Sequence, residues 1–206
     1  VERDDLDEVD PDKQAGLINF LMKNRHGTPF EHNALKFLIE APIMVFREWH
    51  RHRIGWSYNE ESGRYKVLSP VFWVPCADRP LIQTGKPGHY TFEPDLTGEM
   101  RGPGIELMGQ SYSYSYDTYE RLLDMGFAKE VARAPLPVAI YSSMYATCNL
   151  RSLMAFLSLR TKDSRSLFPS FPQFEINQCA SMMEEAFARH FPVTYAAFCE
   201  HGRVCP

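Results

Sequence analysis

The sequence predicts a mixed α and β fold, and three observations support this prediction. Several windows repeat apolar residues every three or four positions, which indicates amphipathic helices. Shorter windows alternate apolar and polar residues, or are rich in aromatic and β-branched residues, which indicates strands. The 206 residues are 44% hydrophobic and 23% charged, a composition typical of a folded protein rather than a disordered one. We therefore expect a single domain, residues 1–206, whose helices are longer than its strands.

The first half of the chain begins with an acidic segment, residues 1–12, that we expect at the surface. An apolar stripe then predicts a helix capped by Asp12, and alternation predicts a strand. Pro42 suits the first turn of a second helix, which should end before Gly55. The elements predicted here are a helix at 12–24, a strand at 35–39, a helix from 42 to about 53 and a strand at 64–74.

The second half is richer in helices. Many Pro and Gly residues predict a long loop over 76–104, and Gly126 ends the helix that follows it. The alternating Tyr and Ser residues at 111–116 should form one exposed and one packed helix face. Residues 140–148 are compatible with either a strand or a helix. The remaining predicted elements are helices at 104–125, 150–159 and 173–190, short helical turns at 128–133 and a loop at 163–172.

Composition excludes several classes of function. No run of about 18 apolar residues exists, so we expect no transmembrane helix and no membrane partner. The formal net charge is −4, which argues against nonspecific nucleic-acid binding. The chain starts at Val1 without an initiator Met or a signal-peptide pattern, so we expect a preceding N-terminal segment to be missing.

The cysteines and histidines indicate neither disulfides nor a metal site. The five Cys residues are an odd number and form no CxxC pair, which fits reduced thiols in a cytoplasmic protein. We interpret Cys148 as a buried core thiol rather than a nucleophile. His26 and His32, or His50 and His52, match no standard ligand spacing, so we predict no metal. Glu184 and its neighbour Glu185 read as a solvated surface pair.

The densest chemical signal lies in residues 47–65. Arg47 and Arg51 would share a helix face at i,i+4, whereas Arg53 would point elsewhere, an arrangement suited to two anions. The charges are explained about equally well by basic residues at the C-terminus of a helix, where they interact favourably with the helix dipole. The hydrogen-bonding residues and the glycine between Ser57 and Arg64 favour a ligand site, because glycine permits close backbone approach.

These residues also carry a resemblance. Arg51-His52-Arg53, followed after a spacer by Ser62-Gly63-Arg64-Tyr65, resembles the signature of the flavin-dependent thymidylate synthases. Further blocks match that family in the same order, at residues 26–32, 47–49, 130–133, 149–153 and 159–160. A match of several ordered blocks is far more specific than one motif.

The resemblance implies a fold and an assembly. Family members have an α/β (α+β) domain, an antiparallel sheet flanked by helices, and form a homotetramer. Their active sites lie at subunit interfaces, so one chain need not contain a complete site.

The resemblance also implies the site residues. The residues similar to flavin contacts are His26, Thr28, Glu31, Arg51, His52, Arg53, Ile54, Asn59, Asn149 and Arg151. Those similar to contacts of a uracil nucleotide monophosphate are Glu48, Arg51, Glu60, Glu61, Ser62, Gly63, Arg64, Arg133 and Arg160. Arg160 is our candidate for stabilising negative charge on the pyrimidine, and Ser62 for polarising or positioning the base.

The implied reaction is reductive methylation at C5 of the uracil ring, which converts dUMP to dTMP. FAD is the cofactor, NADPH reduces it, and 5,10-methylenetetrahydrofolate supplies the carbon. The cofactor performs the difficult chemistry while the protein orients the reactants.

The sequence departs from the family pattern at three places, of which Ala155 and Pro135 keep a different nucleotide substrate open, and a further alternative has no turnover. The spacer between Arg53 and Ser62 has eight residues instead of seven, Ala155 replaces a residue that is often polar, and Pro135 would be unexpected in a helix interior. One alternative is a UMP methylase of nucleoside antibiotic biosynthesis. The other is a flavin- or nucleotide-binding protein without turnover.

Overall fold

The computed structural model describes residues 10–86, 89–95 and 97–206. Residues 1–9 lie outside this range, so of the predicted surface segment only Asp10, Pro11 and Asp12 can be judged, and all three are exposed. The described residues form two compact units. The first comprises residues 10–36, 53–56 and 147–206, and the second comprises residues 37–52 and 57–146.

The first unit is helical. Its helices are α1 (Pro11–Lys23), α5 (Leu150–Arg160), α6 (Phe174–His190) and α7 (Pro192–Glu200), with a 3₁₀ turn at Thr28–Glu31. The cap of α1 is Asp10 rather than the predicted Asp12. The sequence also missed α7, whose first residue is a proline.

The core of the first unit is built on α5 and α6. The buried residues of α6 recur at the spacing of one helix face, and those of α5 include Leu153, Phe156 and Leu157, which are fully buried. Packing of these faces removes apolar surface from water and fixes the two helices against each other. The residues that form the α6 side of this core are Ile176, Ala180, Met183 and Phe187.

The second unit contains the sheets and the remaining helices. Strands β1 (Leu35–Pro42), β5 (Tyr141–Cys148) and β2 (Trp56–Glu60) form a three-stranded sheet in the order β1–β5–β2. Strands β3 (Ile82–Lys86) and β4 (His89–Glu93) form an antiparallel hairpin. The helices are α2 (Ile43–Trp49), α3 (Arg101–Asp124) and α4 (Lys129–Ala132).

The structure settles the undecided segment 140–148 as a strand. On β5 every second residue is buried, namely Ser142, Met144, Ala146 and Cys148. Small and polar residues occupy half of this buried face, which weakened the hydrophobic alternation in the sequence. Burial raises the pKa of the Cys148 thiol to about 12, so this cysteine is a core residue, as predicted.

The predicted strand at 64–74 is wrong. The chain instead turns at Ser62, whose carbonyl accepts from the amides of Tyr65 and Lys66. Further on, Tyr116 of α3 donates its hydroxyl to the Leu68 carbonyl at 2.8 Å, and the Tyr119 hydroxyl accepts from the Leu68 amide at 3.4 Å. Two tyrosine hydroxyls thus satisfy the backbone of Leu68. Further along, the Trp73 amide donates to the Ala139 carbonyl and the Val71 carbonyl accepts from the Tyr141 amide, which gives a single β-bridge rather than a strand.

The same tyrosines confirm the prediction for the Tyr and Ser tract. Tyr112 stacks on Phe72, with ring centroids 5.0 Å apart, and Tyr116 meets the same ring edge-on. Tyr114, in contrast, is 76% exposed. The tract therefore has one packed and one exposed face.

The predicted loop at 76–104 contains the β3–β4 hairpin, which sequence reasoning missed. At its base, the Arg101 guanidinium donates to backbone carbonyls of the preceding segment, those of Pro75, Cys76, Ala77 and Arg79. The Asp95 carboxylate accepts from the amides of Gly98, Met100 and Arg101. Because these contacts depend on two polar side chains, hydrophobic periodicity did not reveal them.

Candidate active site

The basic segment after α2 leaves the helix earlier than predicted. The helix ends at Trp49, so Arg47 and Arg51 do not share a face of one helix, and that prediction is wrong. The Tyr58 hydroxyl donates to the carbonyl oxygens of Trp49, at 3.3 Å, and His52, at 2.6 Å. These bonds satisfy groups at the end of the helix while the chain turns towards β2. Arg51 is exposed at this turn.

A cavity of about 100 Å³ lies beside the end of β2 in the second unit. Glu60, the last residue of β2, lines it together with Gly63, Arg133 and Ser142. Burial raises the pKa of the Glu60 carboxyl above its ordinary value, and the opposing effects of His50, Ser142 and Arg133 are weaker. The cavity therefore contains a carboxylate whose charged form is disfavoured by burial, together with hydrogen-bonding and cationic groups. Sites that bind polar ligands commonly have this combination.

Gly63 allows two side chains to approach this cavity closely. A Cβ atom at position 63 would lie 3.2 Å from Leu68 Cδ1 and 3.3 Å from Arg133 Cδ. A side chain at position 63 would therefore require Leu68 and Arg133 to shift by a few tenths of an ångström. The neighbouring Ser62 hydroxyl accepts from the Arg64 amide at 3.3 Å, which shapes the turn around the glycine.

Two arginines near this turn, Arg64 and Arg133, are exposed. Arg64 Nε donates to Glu130 Oε2 at 2.9 Å, and both side chains are about half exposed. Arg133 follows α4 directly, and its amide donates to the Lys129 carbonyl. Pro135 lies beyond the end of α4, so it does not interrupt a helix, and the expected distortion by a proline inside a helix is wrong.

Glu61 faces a different set of groups from Glu60. Its carboxylate pairs with Lys66 at 2.6 Å and accepts from the Ser143 hydroxyl at 3.2 Å. The hydrogen bond from Lys66 is the main reason that the pKa of Glu61 is lowered. Glu61 is thus held as an ion, whereas burial disfavours the charge on Glu60.

In the first unit, a second cluster surrounds Arg151 near the start of α5. Its Nη1 pairs with Glu31 at 2.5 Å and its Nε donates to the Pro206 carbonyl at 2.8 Å. The Glu31 hydrogen bond is the main cause of the raised pKa of Arg151. A Cβ at Gly27 would lie 2.5 Å from the Arg151 guanidinium carbon, so a side chain there would displace the guanidinium from its present position. Thr28, next along the 3₁₀ turn, is exposed.

The loop at 53–56 is held against the start of α5. Asn149 caps this helix by accepting from the Ser152 amide at 2.8 Å, and the Ser152 hydroxyl donates to the Ile54 carbonyl at 2.9 Å. Gly55 adopts φ of 69°, the left-handed conformation that favours glycine. The Ile54 side chain is 92% exposed. If the extra residue of the spacer after Arg53 falls at Gly55-Trp56, it lies at this glycine turn.

Arg160 lies at the other end of α5, as its last residue. It is half-buried and lines an open cavity of about 550 Å³ in the first unit, together with Phe168, Ser170, Phe171 and Arg203. The two phenylalanines are more than half exposed. The sequence analysis gave the loop that carries them no role. The available signal was a pair of phenylalanines shortly after Arg160, since aromatic rings can pack against a guanidinium group.

The site residues expected from the sequence fall into two groups. In the second unit, the cavity brings together four of them, which are Glu60, Glu61, Gly63 and Arg133. In the first unit, hydrogen bonds join Arg151 to Glu31, and link Asn149 to Ile54 through Ser152. Expected residues outside these groups are His26, Thr28, Arg51, Arg53, Asn59 and Arg64, all exposed, and Glu48, His52, Ser62 and Arg160, all partly exposed.

Three residues of these groups were missed from the sequence, namely Gly27, Ser142 and Ser152. A serine on the buried face of an alternating strand was the available signal for Ser142. Gly27 and Ser152 lie within the matching blocks 26–32 and 149–153, but the blocks do not show their roles, which come from contacts with residues distant in sequence.

The described ranges contain no group of three or more His, Cys, Asp or Glu side chains that could bind a metal ion. Within the same ranges, no helix has the length and apolarity needed to span a bilayer.

The profile of the family described as "Thymidylate synthase complementing protein" matches residues 1–193. The chain belongs to this family. It is 55% identical over 203 residues to the flavin-dependent thymidylate synthase of Streptomyces coelicolor, which covers 98% of the chain and 82% of that relative. It is also 55% identical over 194 residues to the enzyme of the same name from Tropheryma whipplei strain TW08/27, covering 94% and 80%.

Solved structures agree with this assignment. The UMP/dUMP methylase PolB from Streptomyces cacaoi, bound with 5-Br UMP, superposes with a TM-score of 0.91 at 47% identity, covering 95% of this chain and 87% of PolB. PolB bound with 5-Br dUMP gives a TM-score of 0.89 at 46% identity, covering 97% and 85%. The prediction of a thymidylate synthase family fold with mixed α and β structure is confirmed.

Family membership does not decide how Ala155 affects a ligand. In this member of the family, the Ala155 carbonyl accepts from the Ser158 hydroxyl at 2.9 Å, inside α5. The methyl side chain offers no hydrogen bond of its own. Weaker flavin binding than in relatives with a polar residue at this position therefore stays a prediction.

We expect Glu60→Gln to stabilise the protein at neutral pH. Burial disfavours the Glu60 carboxylate, and the amide carries no charge. The pKa of Glu60 is higher in the folded than in the unfolded state. The penalty is therefore absent below the unfolded pKa, about 4.3, and it grows as the pH rises through the folded pKa. The variant should gain stability at pH 7, by well under about 1 kcal/mol in the free energy of unfolding, because solvent screens the charge of a carboxyl that is only partly buried.

Urea unfolding at pH 7 and at pH 3.5 measures this effect. The gain should shrink at pH 3.5, where wild-type Glu60 is largely protonated. Glu61→Gln is the matched control and should lose stability at pH 7, since Glu61 is ion-paired. Equal stability changes for both variants at pH 7 would contradict the proposed environment of Glu60.

Proposed function

We propose that the protein is a flavin-dependent thymidylate synthase, which methylates C5 of the uracil ring of dUMP to form dTMP. We include FAD as cofactor, with NADPH and 5,10-methylenetetrahydrofolate as co-substrates. The observation that carries the proposal is the cavity lined by Glu60, Gly63 and Arg133. It lies in the segments of the chain that resemble the nucleotide contacts of the family.

The cavity and its rim suit a nucleotide monophosphate. Arg64 and Arg133 supply guanidinium groups for the phosphate, and the absence of a side chain at Gly63 lets Arg133 lie close to the cavity. Ser62 can donate a hydrogen bond from the same turn and so position the base. Glu60 can accept from a hydroxyl or ring N–H, and gaining such a donor would offset the cost of its buried charge.

Arg160 is the proposed catalytic cation. A guanidinium remains protonated throughout the physiological range and stabilises negative charge as it develops on the pyrimidine. Its position at the end of the buried helix α5 restricts its movement, which favours a preorganised role. We assign Ser62 to polarising or orienting the base, and no neighbouring base is needed for that role.

The Arg151 cluster fits a flavin dinucleotide. Arg151 carries a cation, Thr28 and His26 expose polar groups, and the absence of a side chain at Gly27 lets the Arg151 guanidinium lie against its backbone. Such a set suits the diphosphate of FAD. The other proposed flavin residues are Glu31, Arg51, His52, Arg53, Ile54, Asn59 and Asn149. Bound FAD would supply the reducing equivalents for forming the methyl group.

UMP is the second candidate substrate. The observation that favours it is the similarity to PolB, which has been solved with both 5-Br UMP and 5-Br dUMP. The two nucleotides differ by one ribose hydroxyl, so the same phosphate and base contacts would serve both. We retain dUMP as the main proposal because the flavin-dependent thymidylate synthases of two organisms are 55% identical to this chain.

Tritium release from 5-tritiated dUMP and UMP tests this function directly. With FAD, NADPH and methylenetetrahydrofolate present, we expect release from dUMP at least tenfold faster than from UMP. Preference for UMP would favour the methylase alternative. Flavin binding without release from either nucleotide would overturn the proposed activity and leave a binding protein.

Two variants should separate the proposed roles. Arg160→Ala should lower tritium release by at least a hundredfold while FAD remains bound, because the charge on the pyrimidine is no longer stabilised. Gly27→Ala should instead displace Arg151 and lower the FAD content. The absorbance of the purified proteins near 450 nm reports the FAD, and its loss from Arg160→Ala would contradict our assignment.

We also propose that the protein is a homotetramer with active sites at subunit interfaces, and that the two units form one domain. The chain passes between the units four times, which supports one domain rather than two independent ones. Exposed apolar residues on α3, such as Leu107 at 66% and Tyr114 at 76%, support burial by another subunit. Multi-angle light scattering should give four times the mass of one chain, and a monomer would contradict this proposal.

A further inference from the structure

The sequence suggested that Glu184 is a solvated surface residue, and the structure shows the opposite. Its carboxylate is largely buried and accepts two hydrogen bonds from Arg203, from Nη1 at 2.5 Å and from Nη2 at 2.8 Å. The Arg203 side chain is completely buried. A fully buried arginine is rare and needs several partners to compensate for its lost hydration.

Two other partners of Arg203 follow Arg160 within three residues, while Cys199 and the Phe198 ring contact it from α7. Nη2 of Arg203 donates to Thr161 Oγ1 at 2.7 Å, and Nη1 lies 3.3 Å from Asp163 Oδ2. Thr161 is the residue that terminates α5, and its own hydroxyl donates to the Leu157 carbonyl at 2.7 Å. Arg203 is therefore bonded to the residue next to the proposed catalytic cation.

The backbone around Arg203 holds the same loop at a second point. Gly202 and Arg203 both have positive φ, 73° and 56°, so the chain turns sharply after α7. The Gly202 carbonyl accepts from the Leu167 amide at 2.9 Å. A Cβ at Gly202 would lie 2.9 Å from the Leu167 Cβ, which leaves no room for a side chain.

The loop held in this way forms one wall of the cavity at Arg160. Phe168, Ser170 and Phe171 line that cavity, as does Arg203 itself. The Ser170 hydroxyl donates back to the Thr161 carbonyl at 2.7 Å and so closes the loop. The order and position of this wall thus depend on contacts made by the turn at Gly202 and Arg203.

We infer that Arg203 is a positioning residue for Arg160, which it fixes by tying Thr161, Asp163 and Glu184 into one network. This inference rests on the proposed function, since Arg160 is the proposed catalytic cation. Arg203 also lies outside the family profile, which ends at residue 193. Arg203 touches neither nucleotide nor flavin in this role and acts only through the end of α5 and the 161–171 loop.

The first test compares Arg203→Lys with the double variant Arg203→Met, Glu184→Gln. Lysine keeps the charge but cannot hold three partners in fixed directions. The double variant removes both charges together, which avoids a buried unpaired ion and preserves folding. In both, we expect kcat/KM for the preferred nucleotide to fall about tenfold to a hundredfold, because Arg160 is misplaced. FAD content should not change.

Arg165→Ala is the matched control. Arg165 pairs with Asp163 in the same network, but its side chain is half exposed. We expect its kcat/KM to remain within about twofold of wild type. A loss equal to that of the Arg203 variants would overturn the special role of Arg203.

Hydrogen–deuterium exchange provides a readout independent of turnover. In the Arg203 variants, exchange should accelerate at residues 161–171 and stay near wild type in the core of α5. Wild-type exchange in this loop, or unchanged kcat/KM per folded protein, would overturn the inference. If wild type turned over neither nucleotide, the proposed function would fail, while faster exchange confined to the loop would still support the positioning network.

Discussion

Burial of α5 is the constraint on which the first unit depends. Leu153, Phe156 and Leu157 are fully buried, so the helix cannot rotate or slide without exposing them to water. The residues at its two ends inherit this rigidity. Arg151 and Arg160 are nine residues apart, which is about 14 Å along a helix axis. One packed element thus holds two cations at a fixed spacing, with Asn149 capping its start and Thr161 its end.

The second unit depends more on polar contacts. Hydroxyl groups of tyrosines on α3 satisfy the backbone of the segment after Gly63, and Tyr58 satisfies the carbonyls at the end of α2. The irregular segments that shape the Glu60 cavity are therefore fixed without forming strands. Irregular backbone is well suited to a ligand site, because its unpaired groups can be directed at the ligand.

The helical face of α6, with apolar residues recurring every three or four positions, was predictable because hydrophobic periodicity alone specifies it. The strand β5 was ambiguous because Ser142 and Ala146 interrupt its apolar alternation. Segment 64–74 was mistaken for a strand because its backbone is satisfied at Leu68 by tyrosine hydroxyls and pairs with residues 139–141 only through a single β-bridge at Phe72. Local sequence does not contain that information.

The candidate site shows the same division. Ordered motifs identified Glu60, Gly63 and Arg133, which the structure places around one cavity. They did not reveal Gly27 or Arg203, whose importance lies in what packs against them. Glu184 looked like a surface residue because two adjacent glutamates on a helix usually are. A buried guanidinium contributed from the last turn of the chain reverses that expectation.

The base of the β3–β4 hairpin has a consequence for how this protein can vary. Arg101 binds four carbonyls of the segment entering the hairpin, and Asp95 binds three amides of the segment leaving it. Both anchors lie outside the strands themselves. The hairpin is therefore a module whose length and sequence can be exchanged while its attachment to α3 is preserved, since longer surface insertions cost little loop entropy. It offers a position for grafting a foreign peptide without altering either candidate cluster.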